Sequence, residues 1–155
     1  MTKPIPPIAL QLGLGGLIPF YASAFATLMD DGGLSRLGFT AFSIYAAAIL
    51  SFLGGVRWGA EMLRAPERPS PTRLVFSVLP AIAGWALALY AITGPHALGA
   101  AAAFAGLFAL QYVWDLRAAR DAAAPAWYPL LRQILTGGVM LACLLLPIAD
   151  LLHRA

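Results

Sequence analysis

The chain is short of what a water-soluble domain needs. Only 11% of its 155 residues are charged, whereas a soluble domain carries about a quarter to wet its surface. Its single cysteine, Cys143, excludes an internal disulfide and a cysteine-built metal site. It sits in an apolar run, where a small core residue is expected. The two histidines, His96 and His153, fall at the outer ends of apolar runs with no second histidine one turn on, which argues against a haem pair or a zinc site. No serine, histidine and acid share one depth, and no glycine-rich loop of the nucleotide-binding type is present. There is no basic run, so nucleic acid is not an expected partner. Acidic residues are missing from the centres of the apolar runs, which removes the stepping stones of a proton or ion path.

What is present in excess is apolar side chain, 61% of the residues. A single soluble core could not bury that much, so lipid must be the solvent for part of the surface. Four polar breaks separate five runs, read as spans over about 8–28, 38–63, 74–93, 97–115 and 129–152. Each is close to the 17–25 residues that cross about 30 Å of hydrocarbon at 1.5 Å per residue. The expected fold is all-α: a polytopic membrane protein, one bundle of five transmembrane helices. Asp30-Asp31-Gly32-Gly33 reads as a polar turn, the proline-rich stretch from Arg64 to Arg73 as a loop, and Thr93-Gly94-Pro95-His96 as a hairpin closed by glycine and proline. Lys3 and Ala22-Ser23-Ala24 imitate a signal peptide, but the first run is read as a span.

Charge sets the expected orientation. Lys3, Arg57, Arg64, Arg68, Arg73, Arg117, Arg120 and Arg132 share one side, against Arg36 and Arg154 on the other. That bias predicts a cytoplasmic N-terminus and a periplasmic C-terminus. Trp58, Trp114, Trp127 and Tyr128 fall near the same boundary, as an aromatic belt does. Arginine outnumbers lysine nine to one and alanine is abundant, the usage of a GC-rich bacterial genome.

Chemistry is expected in the cytoplasmic half. Ser51, Gly54, Trp58 and Glu61 recur at helical spacing, with Arg57 one turn before Glu61 and placed to pair with it. Gly55 and Gly59 form a small-xxx-small pair that would admit a neighbouring helix. Gln111, Trp114 and Asp115 share a face at the end of the fourth span. Tyr128, Arg132 and Thr136 form a stripe at the start of the fifth, behind Trp127. Asp115 is a natural counter-ion for Arg57 or Arg132, because a charge at membrane depth needs a partner. Packing is assigned to Gln11, Gly15, Pro19, Ala22 and Ala26 on the first span and to Ser77, Pro80, Ala81, Gly84 and Ala88 on the third. Pro19 and Pro80 are expected to kink their helices. For every one of these polar residues the plainer alternative is an interfacial anchor or a purely structural ion pair.

Three segments, Phe52-Leu-Gly-Gly-Val-Arg-Trp-Gly59, Leu79-Pro-Ala-Ile-Ala-Gly-Trp85 and Trp127-Tyr-Pro-Leu-Leu-Arg-Gln-Ile-Leu-Thr136, resemble an uncharacterised family. It contains bacterial domain-of-unknown-function proteins and mitochondrial transmembrane-protein-69-like proteins. The resemblance covers nearly the whole chain and implies a five-helix protein of bacterial or mitochondrial inner membranes, with no activity attached. Arg57, Trp58, Pro80, Trp85, Trp127, Tyr128 and Arg132 stand at its signature positions. The span count is also similar to that of tryptophan-rich sensory proteins, which bind porphyrins and sterols, but their Trp- and Pro-rich loop signature is not evident. The expected role is non-enzymatic: binding a lipid headgroup, quinone or other amphipathic small molecule, or serving a larger membrane complex. A small oligomeric transporter or flippase-like protein is the alternative, and a membrane-embedded enzyme the third. Membrane lipid is the expected partner, with a homo-oligomer or a larger complex beside it. No cofactor is implied.

Overall fold

The computed structural model describes residues 4–29, 31–94, 97–120 and 124–152; Lys3, Asp30, Pro95, His96, His153 and Arg154 lie outside them. Six helices follow one another: α1 (Pro7–Gly15), α2 (Ile18–Ala26), α3 (Gly32–Arg64), α4 (Pro71–Thr93), α5 (Ala97–Arg120) and α6 (Tyr128–Leu152). No strand occurs among the described residues. With α1 and α2 counted as one segment, five are long and apolar enough to cross a membrane.

The first span was expected to kink at Pro19, and it is interrupted just ahead of that residue, at Gly16 and Leu17. Pro19 falls at the start of α2, where its missing N–H is tolerated. In a continuous helix its ring would clash with the carbonyl of Gly15. Gly13, Gly15 and Gly16 lower helix propensity at the same place. The inward face keeps helical spacing across the break, through Gly13, Leu17, Phe20, Ala24 and Thr27, and the stripe was drawn on another face; of its members only Ala26 is half-buried, against Gly38. Gln11, Gly15, Pro19 and Ala22 are exposed, and Phe20, Ser23, Ala24 and Thr27 are buried instead. Two tyrosines secure the broken segment to its neighbours. Tyr45 of α3 donates to the Gly16 carbonyl at 2.9 Å, and Tyr21 of α2 donates to the Gly138 carbonyl of α6 at 3.0 Å.

The expected polar turn before the second span is shorter than drawn. Gly32 and Gly33 lie inside α3, and Asp31 caps it, its Oδ1 accepting from the Gly33 and Leu34 N–H groups at 2.8 and 3.3 Å. The resulting helix has 33 residues, about 50 Å at 1.5 Å per residue. It exceeds the hydrocarbon thickness, so its ends reach the polar regions or the helix tilts. Pro80 does not interrupt α4, which runs from its Ser70 cap to Thr93. Ser77, Pro80, Gly84 and Ala88 are buried, the small-residue face of α4 seated on α3.

Four phenylalanines tie the bundle together. Phe20, Phe42, Phe104 and Phe108 are fully buried, and Phe20 meets Phe42 and Phe108 edge-on at 5.3 and 5.8 Å. Leucines and isoleucines cover the outside, among them Leu79, Ile82, Leu110, Leu141 and Leu144. That is the surface lipid requires.

Candidate functional site

Three helices contribute polar side chains to one end of the bundle. On α5, Gln111 and Asp115 are one turn apart, and both are buried. Asp115 Oδ2 accepts from Arg132 Nε of α6 at 2.8 Å. Its Oδ1 accepts from Gln111 Nε2 at 3.2 Å and lies 3.8 Å from Arg57 Nε of α3. Arg57 also donates to the Trp114 carbonyl at 3.3 Å, with its guanidinium 4.7 Å from the centre of the Trp114 ring. Phe76 of α4 meets that ring edge-on at 6.1 Å. One carboxylate thus serves two guanidiniums, and its exposure of 2% removes water as a competitor.

Arg132 is itself almost fully buried, and its Nη2 has no hydrogen-bond partner among the described residues. One turn deeper, the buried Thr136 Oγ1 has none either. Both residues line a cavity of about 140 Å³. Its other walls are apolar: Leu12 of α1, Gly16 and Leu17 from the α1–α2 break, Phe52 and Leu53 from α3, and Leu135 and Val139 from α6. Gly16 and Leu17, where the first span is interrupted, form part of the wall. Trp127 and Tyr128 meet edge-on at 6.3 Å at the start of α6. Tyr128 lies within electrostatic range of Asp115, Arg132 and Arg57.

Several expected site residues lie elsewhere. Glu61 was expected beside Arg57, yet it belongs to the α3–α4 turn. It accepts from Arg64 Nε and Nη2 at 2.8 and 2.7 Å and from the Ser70 N–H at 2.8 Å, with Arg73 Nη1 3.8 Å away. The reason is geometric: Arg64 is one turn on, at the helix end, and Ser70 offers an N–H that the start of α4 leaves unbonded. Trp58 was drawn on the buried face and is 41% exposed, with its indole N–H 3.0 Å from Met62 Sδ. Ser51 is exposed as well. Gly54 packs against Ser77 and Pro80, and Gly84 against Ala47 and Leu50. Gly15, Gly55 and Gly59 touch nothing within 4 Å at the position of a Cβ, so they are not packing glycines in this chain. Gly15 and Gly55 are exposed, and Gly59 is half-buried. The cavity walls on the first span were missed, although Gly13-Leu-Gly-Gly16 ahead of Pro19 is the signal that breaks it.

A family model described as "Protein of unknown function (DUF3429)" matches residues 5–148. Transmembrane protein 69 of Xenopus tropicalis is 38% identical over 136 residues, 86% of this chain and 51% of that protein. Transmembrane protein 69 of Mus musculus is 36% identical over 86 residues, 55% of this chain and 35% of that protein. The chain therefore spans about half the length of the frog relative and about a third of the mouse one. No solved structure matches.

Proposed function

Since the chain belongs to the DUF3429 family, whose description assigns no reaction, its role has to be argued from the site, and we propose that it binds an amphipathic small molecule in the cavity beside Arg132. The observation that carries this reading is a pair of buried groups without a hydrogen-bond partner among the described residues, Arg132 Nη2 and Thr136 Oγ1, on two residues that line the cavity. A buried donor without an acceptor costs about 1–3 kcal/mol, and more when it is charged. A ligand acceptor seated there removes that penalty, while the apolar walls receive the rest of the molecule. The cluster around Asp115 holds the guanidinium in place, because Arg132 Nε is already committed to Oδ2.

Native mass spectrometry of the gently solubilised protein tests this. The wild type is expected to carry a small lipid-soluble adduct, and Thr136→Val to lose most of it while staying folded. A wild-type chain that never carries an adduct, even after incubation with a total membrane lipid extract, would remove the reading.

The proposed location is a bacterial inner membrane with the Arg57–Asp115–Arg132 end towards the cytoplasm, on the strength of the arginine bias. A cysteine at Glu67, exposed in the α3–α4 turn, is expected to be shielded from an impermeant thiol reagent in intact cells. One at Gly32, exposed with open space around it, is expected to react. The native Cys143 is buried and gives a low background. The reverse pattern would place the cluster in the outer leaflet.

A further inference from the structure

We infer that the occupant of the Arg132 cavity is a carboxylate on a single hydrocarbon chain, taken sideways from the bilayer between α1 and α3. The inference rests on the binding reading above and names its ligand class. Four observations carry it. First, two groups have no hydrogen-bond partner among the described residues, a guanidinium nitrogen and a hydroxyl one turn apart on α6, and their residues line the cavity. Both can donate, and a carboxylate presents two acceptor oxygens. Secondly, the one carboxylate among the described residues that touches Arg132, that of Asp115, is shared with Arg57. Arg132 therefore keeps attraction for a second anion, and a charged acceptor on a buried guanidinium is bound more strongly than a neutral carbonyl.

Thirdly, size excludes bulky heads. A volume of about 140 Å³ is close to the roughly 150 Å³ of an engineered apolar cavity that holds benzene. It receives a carboxyl group and the first methylenes, and it has no room for a glycerophosphate with two chains. Fourthly, the mouth faces lipid. Leu12 of α1 and Phe52 of α3 both line the cavity, yet they are 70% and 65% exposed on the outside of the bundle. In a membrane that surface is hydrocarbon, so a chain leaving the cavity between them stays in an apolar medium. α1 has no buried residue, so it can yield to admit the chain.

Palmitate, methyl palmitate and palmitoyl lysophosphatidate, each titrated into the delipidated full chain and followed by native mass spectrometry and thermal unfolding, test the class. Palmitate is expected to bind once per chain and to raise the unfolding temperature. Methyl palmitate, which lacks the charge, is expected to bind at least about tenfold more weakly. Thr136→Val removes one donor without breaking any hydrogen bond of the protein, so it is expected to keep the unfolding temperature and to weaken palmitate about fivefold or more. Leu12→Trp fills the mouth on an exposed helix and is expected to weaken palmitate with the fold intact.

Equal binding of the ester overturns the carboxylate, and tighter binding of the lysophosphatidate replaces it with a phosphate; in both cases the cavity remains a binding site. Palmitate binding that ignores Leu12→Trp overturns the sideways entry. If no probe and no membrane lipid binds the folded wild type, the inference and the binding reading fall together.

Discussion

Asp115→Asn is expected to lower the unfolding stability by about 3–5 kcal/mol, because it leaves a buried guanidinium without its counter-ion. The substitution keeps the side-chain volume, so the loss is electrostatic. Arg132→Met removes the partner at 2.8 Å, but Asp115 then still has Arg57 at 3.8 Å and Gln111 at 3.2 Å. The arginine variant should therefore lose less than the aspartate variant. Combining the two should recover part of the loss, since Arg132 no longer stays buried without a partner, and Arg57, the more exposed of the two, keeps the Trp114 carbonyl and ring. Thermal and denaturant unfolding in detergent, read as a double-mutant cycle, measures the coupling. If Asp115→Asn costs less than about 1 kcal/mol, the pair behaves as an exposed ion pair and Arg132 as a snorkelling anchor. The Arg132 guanidinium would then not be held towards the cavity.

The asymmetry between Asp115 and its two arginines bears on how much of the site the residue pattern could reveal. Counting apolar residues placed Arg57, Asp115 and Arg132 at similar distances from their helix ends, because span length is fixed by the bilayer. Rotation about each helix axis is another matter. In water, the polar face marks the outside of a helix; in lipid both faces are apolar, and periodicity no longer points inward. Trp58 shows the consequence. It was drawn on the inner face with Gly54 and Glu61, yet it lies outward, whereas Glu61 is buried as drawn but bonded to Arg64 and Ser70 instead of Arg57. The cavity was hidden for a second reason. Its walls come from four spans, and the kink expected at Pro19 bends the first span without saying which residues of the others close around it. Neither unsatisfied group could be foreseen, because Arg132 and Thr136 are ordinary members of a helical stripe until their neighbours are known.

The same ambiguity of face gives a sharp contrast among the glycines. Gly54→Ala is expected to destabilise the protein by about 1–3 kcal/mol or more, as over-packing does. A Cβ at Gly54 would run into the Ser77 carbonyl oxygen of α4. That atom is backbone and cannot rotate away, so α3 and α4 would have to separate along a contact lined by Ser77, Pro80 and Gly84. Gly38→Ala is expected to behave alike, because its Cβ would stand 2.7 Å from the Ser23 carbonyl oxygen and 2.9 Å from the Thr27 nitrogen of the α2 end. Gly55→Ala and Gly59→Ala meet nothing within 4 Å. They lie inside a long helix, where replacing glycine with alanine adds up to about 1 kcal/mol of helix propensity. Unfolding temperatures of the four variants in one detergent should therefore divide, with Gly38 and Gly54 below the wild type and Gly55 and Gly59 at or above it. A loss at Gly55 and Gly59 equal to that at Gly54 would mean that another chain packs on the outer face of α3. The small-xxx-small pair would then be a contact between chains and not a bare surface turned to lipid.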